Sequence, residues 1–523
     1  MENLSLRRWL AACVVVLSAP LVEARQCLMT KVTSDHAAEG DQFGSALALV
    51  DGTLFVGAPN EDGIGRNSGS VYVLRRDGLN WFTQQRIVVP DTQAGHLFGQ
   101  YLDCDGDTLA VLAWRYLGDE PGDPGQLYVY ERGASGWELA YEYRAQGPRL
   151  VPDTLGSLAT VEVAGEWIFV GATNFDGSAV HTFHRGPAGW APAAKILPSD
   201  ARARSFGWSI EAEGDTLAIG APNEAFTRGA VYLYEREGEA WSEVGKLPGT
   251  FATTNAQFGS DLALEGDTLV VAAPHDSLWA HGAGSAFVFE RGPSGWAFAA
   301  RLSPPDLPFQ ENLGQVALAG DVLMAVGRAR RGEGYVFERV GGTWMERGRV
   351  PAPSFLTREL AISGDIAALA NPHDLQRRLG AGAVDVYSLS GAACASLRRP
   401  RAVSWGKERL EIDRGPEHAG HFYWLGGSTS GTLRGVGYRG TRIPLNRDAY
   451  FRALVLEPNL GLFTNSLGVL DGDGRASLVL AVPPEAYADF VGLAVDHAFV
   501  EFGPGGAFEH VSNAVTMRFL ERR

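Results

Sequence analysis

The chain has 523 residues, 65 of them glycine, and 61 acidic against 45 basic side chains give a formal charge of −16. That length exceeds one ordinary core, and frequent turns without any long helical apolar period argue for an all-β protein of two domains. The acidity repels nucleic acid and anionic lipid, so neither is an expected partner.

Arg7 and Arg8 precede the apolar run 9–22, and Val22-Glu23-Ala24 supplies the minus-three and minus-one positions of a signal-peptidase cut. Residues 1–24 therefore read as a secretory signal, and the expected destination is extracellular, periplasmic or cell-surface. The twin-arginine pattern is met only loosely at Trp9-Leu10-Ala11, and Gln26 before Cys27 is unsuited to a lipobox, which needs a small residue there. Glu2 and Glu23 offset Arg7 and Arg8, so cleavage leaves the charge at −16. No other apolar segment approaches the roughly 20 residues that span a bilayer.

Cys27–Val32 is patterned like the fourth strands that come later, at Lys195-Ile196-Leu197 and Lys246-Leu247, but has no first three strands of its own. After it the chain repeats. An aromatic residue or Leu followed by Gly opens a unit at Phe43-Gly44, Phe98-Gly99, Leu155-Gly156, Phe206-Gly207, Phe258-Gly259 and Leu313-Gly314, with Phe355-Leu356 standing in for the seventh. A hairpin turn recurs in register at Asp51-Gly52, Gly106-Asp107, Gly165-Glu166, Gly214-Asp215, Gly266-Asp267, Gly320-Asp321 and Gly364-Asp365. A Trp starts the last strand at Trp81, Trp137, Trp190, Trp241, Trp296 and Trp344. In the copy that begins at Phe258, the apolar runs 260–264, 268–272, 285–290 and 296–302 predict a four-stranded antiparallel meander. One such sheet cannot bury both faces, and a spacing of roughly 40 to 57 residues is that of propeller blades. Residues 25–395 are therefore expected to form a seven-bladed β-propeller, with the N-terminal strand completing the last blade.

The Phe-Gly starts, together with Gly57-Ala58-Pro59 and Gly220-Ala221-Pro222, resemble FG-GAP repeats. The resemblance covers about two thirds of the chain and implies the seven-bladed propeller of integrin alpha chains and of many secreted bacterial proteins. Integrin-type repeats often carry an Asp-x-Asp-x-Asp-Gly calcium loop between the second and third strands, and none of these units has it. The nearest approach, Asn60-Glu61-Asp62-Gly63 with Asn67, reads as a polar turn, so no calcium or other cofactor is expected.

The repeat pattern stops at the basic stretch 396–410, read as a linker. Residues 411–523 carry strand-like runs at 421–426, 453–457, 477–481, 493–501 and 514–520, which suits a β-sandwich. Residues 424–431, 444–448 and 512–514 resemble a C-terminal module of secreted bacterial repeat proteins. Asp471-Gly472-Asp473-Gly474 reads as a hairpin turn rather than a calcium loop. Of the three cysteines beyond the signal, Cys104 sits in an innermost strand where burial makes it inert, which leaves Cys27 to pair with Cys394 in an oxidising compartment; Cys27 with Cys104 is the rival pairing.

No nucleophile elbow, zincin helix, phosphate loop or zinc-spaced cysteine pair is present, so no catalytic residue is assigned and the chain is read as a non-enzyme. His181 with His184, His275 with His281, and His418 with His421 each lack a third ligand at metal spacing, and no metal site is assigned. The first-to-second and third-to-fourth connections are tight turns on one side of the disc. The longer second-to-third loops fall on the other side, where binding residues concentrate. Those loops carry Trp114, Tyr116, Phe175, Phe226 and Trp279, aromatics suited to sugar rings or a protein partner. They also carry Asp119, Glu120 and Asp123 against Arg328, Arg330 and Arg331, a mixed charge that suits a dipolar ligand. A secreted binding or adhesion protein for an extracellular protein or glycan is the expectation, with an extracellular polysaccharide hydrolase or lyase and a structural envelope component as rivals.

Overall fold

The computed structural model describes residues 27–523 apart from 35, 37, 78–79, 90–93, 114–124, 145–159, 174–177, 201, 279–280, 304–310, 328–332, 353–358, 374–379, 390–395, 399–406, 415–417, 429–435, 439–440, 444–462, 465–466, 473, 482–493, 503–507, 512–514 and 519–523. Seven four-stranded antiparallel sheets form the blades of a β-propeller. Blade 1 holds Leu47–Val50, Thr53–Ala58, Ser70–Asp77 and Asn80–Ile87, each strand paired with the next. Blades 2 to 6 repeat this meander over 101–144, 161–192, 210–248, 262–302 and 313–351. Blade 7 takes three strands from 360–388, and Cys27–Val32 pairs with Ala383–Ser388 as its fourth. Val32, Val384 and Ile366 of that blade share one core with Phe43 and Leu54 of blade 1, so the ring is closed.

The repeated residues do identifiable work. Six of the hairpin turns place Gly first at φ between 55° and 58°, the left-handed region in which a side chain is strained, whereas blade 1 reverses the order and puts Asp51 there at 47°. The second strands of blades 1 to 5 and 7 are buried along their whole length, because each is covered by a blade on either side. The opening Phe of a unit meets the third-strand aromatic of its own blade edge to face. Phe43 lies 5.3 Å from Tyr72, Phe98 5.4 Å from Tyr128, Phe206 5.3 Å from Tyr232 and Phe258 5.5 Å from Phe287. The fourth-strand Trp reaches to the preceding blade instead, Trp137 to Phe55 at 5.1 Å and Trp241 to Phe169 at 5.3 Å.

The two motif glycines form the seam between blades. A Cβ on Gly57, of the Gly-Ala-Pro, would stand 2.0 Å from the carbonyl oxygen of Gly99, of the next Phe-Gly, and one on Gly220 would stand 2.3 Å from that of Gly259. Backbones approach this closely only without side chains, so the two dipeptides are halves of one contact.

The C-terminal part forms two main sheets. One contains Ser396–Arg398, Lys407–Asp413, Arg475–Ala481 and Phe463–Thr464. The other contains Leu467–Val469, Phe422–Ser428, Ala494–Phe502, Phe508–Val511 and Val515–Arg518. The stretch 396–410 expected as a linker thus begins and ends in paired strands: Ser396–Arg398 pairs with residues 411–413, and Lys407–Asp413 pairs with Arg475–Ala481. The Asp471 N–H donates to the Arg475 carbonyl at 2.8 Å and the Gly474 N–H to the Asp471 carbonyl at 2.9 Å, the backbone bonds of a hairpin turn, and the Asp471 carboxylate accepts from the Arg475 N–H at 2.8 Å. The expected strand 453–457 and Cys394 lie outside the described residues, as does the side chain of Cys27. Cys104 is a buried free thiol, pushed up by burial and by the nearby Asp103 and Asp105 carboxylates.

Candidate functional site: the long-loop face

The loops between second and third strands share one face with the blade starts. Gly69 at the end of the blade 1 loop bridges Phe98, Gly229 bridges Phe258, and Gly284 bridges Leu313. In blades 1, 4 and 5 the loop is anchored by an acid three residues beyond the Ala of the Gly-Ala-Pro or Ala-Ala-Pro. Glu61 accepts from the Tyr72 hydroxyl at 2.8 Å and from Ser70, and pairs with Arg86 at 2.6 Å. Glu224 repeats this with Tyr232 at 2.7 Å and Lys246 at 2.6 Å. Asp276 pairs with Arg301 and accepts from Ser285 Oγ at 2.5 Å and from Thr253 N–H at 3.0 Å. Each base also covers the third-strand ring, Lys246 at 4.6 Å from the Tyr232 centroid and Arg301 at 5.1 Å from that of Phe287. Burial, reinforced by Glu224, pushes the Tyr232 phenol well up, so it remains a donor. The Asn60-Glu61-Asp62-Gly63 turn is built on this staple, with its acid committed to Arg86 and Tyr72.

The blade 4 loop displays the sharpest feature. In the four-residue turn Glu224–Thr227, Ala225, Phe226 and Thr227 take φ of 49°, 60° and 64°. Left-handed residues with side chains cost about 1–2 kcal/mol each. The turn is held by the buried Glu224 at one end and by Thr227 Oγ1 against Asn255 Oδ1 at 2.9 Å at the other, and Phe226 stands out 93% exposed. Trp114, Tyr116, Phe175 and Trp279 lie outside the described residues, as do Asp119, Glu120, Asp123, Arg328, Arg330 and Arg331.

Three of the other histidines have identified surroundings. His181 is buried in its strand, His184 stacks on Trp167 at 4.5 Å, and His275 Nδ1 meets Asn312 Oδ1 at 3.2 Å. A groove of about 350 Å³ opens on the outer rim between blades 3 and 4, lined by Lys195, Leu197, Tyr234, Trp241 and Glu243. Beside it the last strand of blade 3 ends at Pro192, and the chain pairs again with the third strand at Ile196.

The central channel is acidic on one side. Asp103, Glu162, Glu211 and Asp261, on successive blades, each accept a backbone N–H from the following blade: Val163 at 2.7 Å, Ala212 at 3.1 Å, Leu264 at 3.3 Å and Val316 at 2.9 Å. Burial pushes Asp103 up to about 6, against the pull of the Val163 N–H. Burial and the neighbouring carboxylates raise Glu162 and Glu211 in the same direction. These four carboxylates were not singled out in the sequence, although Asp103, Glu162 and Glu211 each stand three residues before the hairpin Gly of their unit. The acids of the loop staples were equally legible, as an acid two residues after each Pro.

The FG-GAP repeat family model matches residues 28–74, 190–234 and 241–289. With seven four-stranded sheets closed into a ring, these matches define an FG-GAP-type β-propeller. Repeats of this kind are typical of extracellular and surface proteins, and no helix among the described residues is long and apolar enough to cross a membrane. No curated protein matches the chain. A solved structure provisionally named 6-phosphogluconolactonase, from Bacteroides uniformis, shares 14% identity over 59% of this chain and 85% of its own, with a TM-score of 0.40, too distant to bear on activity.

Proposed function

We propose that the protein is exported and acts, without turnover, as a binding or adhesion protein whose long-loop face engages an extracellular protein or glycan. The observation that carries this reading is Phe226, an exposed ring on a backbone strained at three consecutive residues and clamped at both ends. Strain of this kind persists where the surroundings hold it, and such positions cluster at ligand clamps and switch regions. An aromatic presented rigidly loses little conformational entropy when it docks.

Glycan and protein arrays probed with the exported protein test the reading. Phe226→Ala should weaken the best hit about tenfold, on the order of 1–2 kcal/mol. Trp114→Ala and Trp279→Ala are expected to act in the same direction. Cleavage of a polysaccharide would replace binding with hydrolysis or lysis, and arrays without any hit would favour a structural envelope role. Loss of binding on changing only short-turn residues such as Asp215 would place the site on the opposite face.

A further inference from the structure

In the C-terminal sheets the third histidine pair acquires a partner. His418 and His421 lie in one tight turn, closed by the His421 N–H donating to the His418 carbonyl at 3.1 Å. Leu470 pins that turn, accepting from the Gly420 N–H at 3.0 Å and donating to the His421 carbonyl at 2.9 Å. Phe422–Ser428 then leaves the turn and pairs with Ala494–Phe502, Tyr423 opposite Glu501. This register delivers the Glu501 carboxylate to both rings from 80 residues beyond His421. Glu501 Oε1 stands 2.6 Å from His418 Nδ1 and 2.7 Å from His421 Nδ1, and the two nitrogens are 3.4 Å apart. The carboxylate is wholly buried, and its other oxygen is held by Arg414 Nε at 2.5 Å.

We propose that His418, His421 and Glu501 form a site for one divalent transition-metal ion of the zinc class, with a fourth position open to water. Two imidazole nitrogens and a carboxylate oxygen are the donor set such ions select, rather than the all-oxygen set of calcium. A tetrahedral ion with bonds of about 2.0–2.1 Å spaces its ligand atoms about 3.3 Å apart. The two nitrogens already have that spacing. The Glu501 oxygen, now 2.6 and 2.7 Å from the two nitrogens, has to draw back by about 0.6–0.7 Å, a small rotation of its side chain. Binding takes both imidazoles neutral, with the lone pair on Nδ1 and the proton on Nε2. Arg414 supplies the outer contact that keeps a ligating carboxylate ionised and aimed. Because Arg414 follows Lys407–Asp413 of one sheet while Glu501 belongs to the other, their ion pair ties the two sheets together beside the site.

The test uses the full chain, stripped with a chelator and titrated with Zn²⁺ and, separately, Co²⁺. One ion per chain is expected, with the visible bands of a tetrahedral Co²⁺ complex and a raised unfolding temperature. His418→Ala, at a partly exposed turn, should weaken binding about 100-fold or more without unfolding the chain. Glu501→Gln leaves Arg414 without its carboxylate and risks the fold, so the cobalt spectrum of the parent serves as the variant-free readout. Absence of saturable binding in the parent, or equal binding by His418→Ala, would overturn the proposal and leave the cluster a hydrogen-bonded one.

Discussion

The two faces of the propeller use the same ion pairs to opposite effect. On the long-loop face, Asp276 is fully buried and its partner Arg301 nearly so, at 0% and 17% exposure. On the short-turn face, Asp321 and Arg339 meet at 2.7 Å but remain 61% and 30% exposed. The exposed pair recurs as Arg236 with Asp215 and Arg132 with Asp107, the Arg N–H also donating to the Asp carbonyl in each blade. Short turns are fixed by their own backbone and glycine conformation, so their charges decorate a geometry already set. Long loops have no such ladder, and a buried, fully partnered acid holds them together with a few backbone bonds to the next blade. The face suited to binding is therefore also the one whose integrity rests on a few side chains.

Breaking a buried staple should give the largest effect. Asp276→Ala removes the acceptor for Arg301, Ser285 and Thr253 together and leaves a guanidinium uncompensated against Phe287. Loss of one partner of a buried pair costs about 3–5 kcal/mol. Chemical denaturation of parent and variant measures it, and a loss under about 1 kcal/mol would erase the distinction between the faces.

The channel wall sharpens the comparison from a third side, since Asp103 is deep and is held by the backbone N–H groups of Val163 and Cys104. Asp103 has a folded pKa of about 6, above its usual 3.8. Its contribution to stability is therefore complete below the unfolded value and is lost as pH rises through about 6. Glu162 and Glu211 act in the same sense. Asp103→Asn keeps an oxygen for the Val163 N–H while removing the charge. It should raise the unfolding temperature by a few degrees at pH 8 and change it little at pH 4, as thermal scans at the two pH values would show. An equal shift at both would mean that the charge is not the cause.

Much of this architecture was legible because the repeat is a local code. Phe98-Gly99, Gly106-Asp107 and Trp137 each report a contact within one blade or with its neighbour, so periodicity in the chain becomes periodicity in space. The Glu61, Glu224 and Asp276 staples stand at fixed offsets, yet Glu61 reads only as part of a polar turn and the other two draw no notice, since nothing in one copy says that an acid is buried. The His418, His421 and Glu501 cluster was hidden for a different reason. Its third member arrives through strand register between Phe422–Ser428 and Ala494–Phe502, with no repeat to announce it. The basic run read as a linker failed similarly, because three charged residues in succession, Lys407-Glu408-Arg409, resemble a connector until Arg475–Ala481 pairs with them.

The smallest effect should come from Asp321→Ala. Arg339 loses its shortest contact there, yet it keeps Glu290 of the preceding blade at 3.4 Å and lies 5.5 Å from the Trp344 ring centroid. Its N–H goes to the backbone carbonyl of residue 321 at 2.8 Å, a bond that does not depend on the side chain. The hydrogen bond from Arg339 to Asp321 raises the guanidinium pKa, but that group is charged at any working pH, so nothing changes with titration. What is removed is a solvent-exposed pair, for which about 0.2–1 kcal/mol is usual and salt screens most of it. Denaturation at low and high ionic strength should therefore show a small loss that vanishes in salt, while the Asp276→Ala loss persists. A salt-independent loss of several kcal/mol at Asp321 would mean that the short-turn face is held by its side chains after all, and that the two faces do not differ in the way their burial indicates.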